Sequence, residues 1–202
     1  MSKAKSRLSA LLGPQQRREL ALLMLTHVIQ ASMKAKSVDG VVVVSSDNLI
    51  LKKAREQGAF AIQDVDEDLN AAVARAMRWC AERGATATLT IPSDLPLLRP
   101  TDIDEVVELV GEGGGVVLCP SYDGGTNALF CSPPNLIEPC FGSMSFYRHI
   151  YEASRRGLPY LIYESPRFSL DIDTPIDLKR LIGREVDVST KLDLRRLFDL
   201  QV

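Results

Sequence analysis

The sequence predicts an α/β protein, a three-layer sandwich of helices about a mostly parallel sheet. Helix-like and strand-like segments alternate along the chain with short connections, the order that builds such sheets. Val41 to Val44 is an unbroken apolar run, as expected of a strand covered on both faces. No internal repeat, low-complexity tract or inter-domain linker interrupts the 202 residues. Residues 1–202 are therefore expected to form one domain, since about 100–200 residues per domain is usual.

The elements follow from punctuation and periodicity. Gly13-Pro14 opens a helix, with proline in the first turn where its missing N–H is not needed. Leu20, Leu23, Met24, Val28 and Ala31 recur at helical spacing and mark its buried face. After the Val41–Val44 strand, Asp47 caps a second helix that Gly58 stops, and Ala59 to Ile62 is a short strand. Asp66 to Asn70 leads into a helix with Ala72, Ala76, Trp79 and Cys80 on one stripe, ending at Gly84. Thr86 to Ile91 reads as a central strand stopped by Pro92, and Thr101 is expected to cap the next helix. Gly111 to Gly115 reads as a loop. Strands at Val116–Cys119 and Ala128–Cys131, a helix near Ser145–Arg156, a strand near Tyr160–Tyr163 and a capped helix after Thr174-Pro175 complete the order.

Composition narrows the function. The chain carries 24 Lys and Arg against 26 Asp and Glu, a net charge of −2, with 46% hydrophobic and 25% charged residues. That supports a sizeable core and excludes a largely disordered chain. It also argues against a dedicated nucleic-acid binder, which would be basic. Cys80, Cys119, Cys131 and Cys140 show no C-x-x-C spacing, and only His27 and His149 could join them, so a zinc site is not expected. The basic N-terminus lacks an apolar signal core, and no apolar stretch approaches the roughly 18 residues of a membrane span. A soluble, cytoplasmic protein is expected, with no nucleic-acid or membrane partner.

In open α/β sheets, ligands bind beyond the carboxyl ends of the strands. Asp94 lies there, after the Thr86–Ile91 strand, between Pro92 and Pro96 in PSDLPLL. The alternative is that it only turns the chain or caps a helix. Asp171 and Asp173 form D-I-D before Thr174-Pro175; in an extended segment they share one side, roughly 6.5–7 Å apart. Paired carboxylates need a cation or a proton between them. Mg²⁺ is the expected cation, because it combines one or two carboxylates with water and phosphate oxygens. The alternative makes Asp173 a helix cap. Lys3, Lys5 and Arg7 precede the first helix and suit a triphosphate. The loop Asp123–Asn127 and the string FGSMSF, with Ser143 and Ser145 before a helix, suit small anions. Two anion sites and a carboxylate cluster suggest metal-assisted nucleotidyl transfer, with no covalent nucleophile.

Several strings, read together, carry a family resemblance: AKSRLS at Ala4–Ser9, EDLNAAV at Glu67–Val73, PSDLPLL at Pro92–Leu98, GGTNALF at Gly124–Phe130, FGSMSF with His149, and DIDTPIDL at Asp171–Leu178. In this order and spacing the chain resembles the 2-phospho-L-lactate guanylyltransferases, called phosphoenolpyruvate guanylyltransferases in bacterial members, of coenzyme F420 biosynthesis. The resemblance implies a Rossmann-like nucleotidyltransferase fold of the nucleotide-diphospho-sugar transferase type. It also implies GTP as co-substrate, a guanylated three-carbon phospho-acid and diphosphate as products, and a homodimer. Asp94, Asp171 and Asp173 would hold divalent ions. Thr126, Gly142 and Ser145 would hold the phospho-acid, Lys5 and Arg7 the triphosphate, and Asp68 to Ala71, with Asn70 among them, would lie near guanine. Two positions depart from the family. Met144 replaces a small residue. The family's first strand, an apolar run with Pro-x-Lys, has no counterpart after Met1, so a sheet short of its first strand is expected, with the strand encoded upstream. The alternatives are a molybdopterin or sugar-phosphate nucleotidyltransferase, or an inactive nucleotide-binding homologue.

Overall fold

The computed structural model describes residues 5–65 and 68–182. Lys3 of the basic cluster and Glu67 of the EDLNAAV string lie outside them. The elements run α1 (Pro14–Lys34), β1 (Val42–Ser45), α2 (Asn48–Glu56), β2 (Phe60–Gln63), α3 (Leu69–Ala81), β3 (Thr88–Thr90), α4 (Pro100–Glu108), β4 (Gly115–Pro120), β5 (Thr126–Ser132), α5 (Ser145–Arg155), β6 (Tyr160–Ile162) and α6 (Pro175–Ile182), with 3₁₀ turns at Ser6–Leu8 and Gly111–Gly113.

Four strands form one sheet in the order β3-β5-β4-β6. The β4–β6 pair is parallel and β5 is antiparallel to both β3 and β4, so only β5 runs against the others. Side chains alternate across a sheet, and β4 and β5 use both faces. Val117, Cys119, Ala128 and Phe130 pack with Val28 and Ala31 of α1 and Ile103 and Val106 of α4. Val116, Leu118, Leu129 and Cys131 pack on the other face with Met77 of α3 and Ala153 of α5. This is the expected three-layer α/β sandwich. The two central strands are buried along nearly their whole length, which accounts for their continuous apolar runs.

β1 and β2 form a separate parallel pair. β1 has a ladder partner on one side only, and among the described residues no strand pairing joins the two sheets. Helix α3 touches both β1 and β3 and so spans the interval between them. All residues of β1 and β3 are half-buried, unlike those of β4.

Helix α1 serves three cores, and its apolar residues accordingly surround much of its circumference. Leu20 and Met24 meet Leu8, Leu170 and Ile172, Leu25 and Ile29 meet Ala54 and Ala59, and Val28 and Ala31 lie against the main sheet. The caps of α2 and α3 are aspartates, Asp47 accepting from the Leu49 N–H at 2.9 Å and Asp68 from the Ala71 N–H at 2.8 Å. Thr101 does not cap α4. Pro100 sets the first helical position, so the cap falls on Arg99, whose N–H donates to the Asp102 carboxylate at 2.8 Å. The α3 stripe also differs: Ala72 and Met77 are buried, while Trp79 is half-buried between Phe60, 5.4 Å between centroids, and the Arg83 guanidinium at 3.8 Å. Among the described residues no helix is long and apolar enough to cross a membrane.

Candidate active site: a carboxylate triad beside a buried hydroxyl pair

The segment entering α6 alternates as a strand would. Leu170 and Ile172 are buried in the core they share with Leu8 and Leu178, each anchoring by about 1.5–3 kcal/mol. Asp171 and Asp173 consequently point the other way. The Ile172 N–H donates to the Asp94 carbonyl at 3.2 Å, tying this segment to the loop after β3, where Leu95 and Leu98 are buried. One oxygen from each of Asp94, Asp171 and Asp173 lies within 4.8 Å of the others. The capping alternative for Asp173 is taken up by another pair. Asp177 accepts from the Thr174 N–H at 2.8 Å and the Thr174 hydroxyl at 2.7 Å, which leaves the Asp173 carboxylate facing its two neighbours.

Lys5, in a left-handed conformation at φ 50° ahead of the Ser6–Leu8 turn, reaches into the cluster. Its Nζ donates to Asp94 Oδ2 at 2.5 Å and Asp173 Oδ1 at 2.8 Å. Burial pulls the Lys5 pKa down, but the two carboxylates outweigh it and hold the ammonium above its ordinary value. Arg7 Nη1 lies 3.6 Å from Asp173 Oδ2. Among the described residues no salt bridge to Asp171 is found. Burial raises its pKa, the Asn127 amide opposes this, and Asp94 and Asp173 add repulsion. Asp94 Oδ1 is buried and has no hydrogen-bond partner among the described residues, and such an atom is costly unless a cation or donor meets it. Three carboxylates around an orphaned oxygen fit a hard divalent cation with oxygen ligands.

The pocket beside the triad has a volume of about 260 Å³ and is lined by Arg7, Tyr122, Asp171, Asp173 and Arg180 among others. Arg180 stands over the Tyr122 ring at 5.2 Å and lies 3.4 Å from Asp177. Sequence reasoning did not single out Tyr122 or Arg180. The available signal for Arg180 was its place three residues after Asp177 on a helix that begins at the triad.

Strand β5 joins this site to a second one. Asn127 donates through Nδ2 to the Phe168 carbonyl at 2.9 Å and to Asp171 Oδ1 at 3.0 Å. Thr126, its neighbour, faces the opposite layer, where its Oγ1 lies 2.9 Å from His149 Nδ1 and 3.2 Å from Ser145 Oγ. Thr126, Ser145 and His149 are all buried. His149 was noted within a motif and as one of two histidines weighed for a zinc site; Ser145, His149 and Ala153 at four-residue spacing on α5 were the legible sign of an inward face. The Asp123–Asn127 loop turns on itself. Ser121 donates to Asp123 Oδ1 at 2.5 Å, and the Gly125 and Gly124 N–H groups go to Asp123 and the Ser121 carbonyl. The Gly124 and Gly125 amides thus close the turn, while Thr126 and Asn127 send their polar side chains to opposite layers. The Ser121 hydroxyl and the Gly125 amide hold Asp123 below the usual carboxylate range.

Gly142 adopts φ 112°, and a Cβ there would stand 3.1 Å from the Arg148 guanidinium, so backbone at this corner approaches its surroundings closely. Met144 takes φ 53° as the residue before α5, a conformation a small residue adopts more readily. Ser143 is exposed. Asn70 links the first turn of α3 to this corner, accepting from the Phe141 N–H at 2.6 Å and donating to its carbonyl at 3.3 Å. The structure therefore brings Lys5, Arg7, Asp94, Asp171 and Asp173 into one cluster and Thr126 and Ser145 into another. Gly142 lies in the loop that Asn70 holds, while Asp68 is exposed at its cap.

Comparison with known proteins bears on the fold and the family. The chain resembles, over 98% of its length and 91% of the other's, a crystal structure assigned as a nucleotide-diphospho-sugar transferase from Desulfovibrio desulfuricans, with a TM-score of 0.80 at 18% identity. A cytidylyltransferase from Leptospira borgpetersenii gives 0.59 at 15% identity, covering 89% and 87%. These share the fold. A phosphoenolpyruvate guanylyltransferase of Sphaerobacter thermophilus is 40% identical over 183 residues, 91% of this chain and 88% of that one. A 2-phospho-L-lactate guanylyltransferase of Methanothermobacter thermautotrophicus is 38% identical over 180 residues, 89% and 78%. The family described as "Guanylyl transferase CofC like" matches residues 1–201. With that match and these relatives, the chain belongs to the CofC-like guanylyl transferase family.

Proposed function

We propose that this protein transfers a guanylyl group from GTP to a three-carbon phospho-acid, 2-phospho-L-lactate or phosphoenolpyruvate, in coenzyme F420 biosynthesis. A phosphate oxygen of the acid attacks the α-phosphorus of GTP, the bond between that phosphorus and the bridging oxygen breaks, and diphosphate leaves with the electron pair. The observation that carries the reading is the triad of Asp94, Asp171 and Asp173 around the partnerless Asp94 Oδ1, one residue of β5 away from a buried hydroxyl pair.

The triad would hold Mg²⁺, which supplies charge neutralisation on the triphosphate and polarises the α-phosphorus. Asn127 keeps Asp171 turned toward its partners. Lys5 and Arg7, paired with Asp94 and Asp173, would offer triphosphate oxygens a point charge and a guanidinium fork. Thr126, Ser145 and the Gly142 corner would receive the phospho-acid. Asp68 and Asn70, at the start of α3, would lie toward the guanine base, and Asn70 couples that region to the acid's loop through Phe141. Positioning and fixed charge do the catalytic work here. The same reading has one catalytic domain acting in the cytoplasm as a homodimer.

The test is diphosphate release with Mg²⁺ and each acid in turn, using GTP, CTP and ATP as donors. GTP-dependent release with one acid is expected. No release with either acid overturns the reading, and the faster acid identifies the acceptor.

A further inference from the structure

We propose that His149 is a positioning residue that makes the Thr126–Ser145 hydroxyl pair a net hydrogen-bond donor toward the anionic end of the phospho-acid. This deepens the guanylyl-transfer reading and rests on it. Counting hydrogens carries the argument. The Cys140 N–H donates to His149 Nε2 at 2.9 Å; an amide can only donate, so Nε2 holds a lone pair. The neutral ring therefore carries its hydrogen on Nδ1, which faces Thr126 Oγ1 at 2.9 Å and the Ser145 carbonyl. Thr126 thus accepts from the ring. The 3.2 Å contact between the two hydroxyls uses one of their two hydrogens, in whichever direction it runs. One O–H is left over, and no hydrogen bond from it to another acceptor is found among the described residues.

The opposite tautomer would reverse the outcome. Nδ1 would then accept from Thr126, Ser145 would donate to Thr126, and no hydrogen would remain. It would also set an Nε2–H against the Cys140 N–H, donor against donor. The protonated ring meets the same clash. Burial, with Arg148 adjacent, lowers the His149 pKa to about 4, so the ring stays neutral near pH 7. The groups facing it are Arg148 and Glu152 on α5, Thr126 on β5, and Phe141 edge-on at 5.0 Å. A hydroxyl that must donate favours a carboxylate or phosphate oxygen, since hydrogen bonds to charged acceptors are the stronger class.

The ring nitrogens of ligand-free wild type are read by ¹⁵N NMR, and diphosphate release is followed for wild type, His149→Leu and His149→Asn, varying GTP and the phospho-acid separately. The expected spectrum is a neutral ring protonated at Nδ1. His149→Leu should raise KM for the phospho-acid by about tenfold or more while KM for GTP stays near wild type. His149→Asn keeps an N–H close to the Nδ1 position and should recover most of the loss, which a purely structural role would not predict. A ring protonated at Nε2 overturns the proposal and leaves the guanylyl-transfer reading standing, as do equal increases in both KM values or an Asn variant no better than Leu. A wild type that releases no diphosphate with either acid overturns the guanylyl-transfer reading, and this proposal with it. If His149→Leu does not fold, the spectrum and the Asn variant decide.

Discussion

Single carboxylates set the trade between stability and activity in this protein. The surroundings of Asp171 oppose its ionisation: burial raises its pKa, Asn127 offsets part of this, and Asp94 and Asp173 repel it. Asp171→Asn keeps the shape and removes that strain. The variant should lose roughly 10²–10³-fold or more in kcat, while its thermal denaturation midpoint in the absence of metal holds or rises. Parallel activity and melting assays check this, and a large drop in melting temperature would remove the argument. His149 makes the opposite kind of pH statement. Its folded pKa is about 4 against an ordinary 6.5, so the unfolded chain takes up a proton first. Stability is full above the ordinary value and is lost as pH falls from 6.5 toward 4, by on the order of 3 kcal/mol from this residue. Asp171, whose raised pKa favours its protonated form, acts in the other direction. Urea denaturation at several pH values should therefore show a flatter acid limb in His149→Asn than in wild type.

At the scale of elements, the loop between β6 and α6 is where the site is held in place. Arg167 in this loop grips Asp102 of α4 through Nε at 2.7 and 2.8 Å and again through Nη2, and Asp102, fully buried, also caps its own helix. Phe168, beside it, is buried and offers its carbonyl to Asn127. Arg167→Met would strand the Asp102 carboxylate in the core. Breaking a buried pair in this way typically costs about 3–5 kcal/mol, partly relieved here because the Arg99 amide remains; chemical denaturation measures it. At the other end of the loop, Thr174→Ala removes the α6 cap partner of Asp177 and should cost about 1 kcal/mol. A metal titration of the activity, with Asp173 geometry at stake, should show a raised metal requirement.

These elements also show what was readable beforehand. The D-I-D string declared its alternation because Ile172 is plainly apolar between two acids, and the Asp47 cap was visible as an aspartate before a helical run. Thr101 misled because it is a good cap type, whereas the proline before it had already fixed the helix start. Asn127 and Arg167 were not legible as site supports. Their partners, Asp171 and Asp102, lie 44 and 65 residues away in sequence, and no local pattern encodes such a pairing. His149 was half legible, since a buried helix face was foreseeable but the Thr126 hydroxyl opposite it was not.

The whole molecule divides into a well-held half and a weakly held one. Among the described residues, β4 and β5 each have hydrogen-bonded neighbours on both sides, and both faces are packed by helices. β1 and β2 pair only with each other, are half-buried or exposed, and rest on α1 and α2 through the cluster of Leu25, Ile29, Ala54 and Ala59. A two-stranded unit has little stability of its own, and the link to the main sheet runs through helix α3, not through a strand ladder. Local opening is easiest where hydrogen bonds have few covered neighbours. In hydrogen exchange, the amides of Val42–Ser45 and Phe60–Gln63 should exchange well before those of β4 and β5, through sub-global opening and not through complete unfolding. Increasing denaturant should accelerate β1–β2 exchange with a slope smaller than the global one until the global transition, while β4 and β5 amides accelerate with the full unfolding slope. Equal protection and equal slopes in both halves would mean that α3 welds them into one cooperative unit. In that case the unpaired edge of β1 carries no energetic consequence. Because Asn70 and Asp68 stand at the start of α3, between the two halves, GTP binding there should slow exchange in β1 and β2 more than in β4. A nucleotide effect confined to the main sheet would place the base elsewhere.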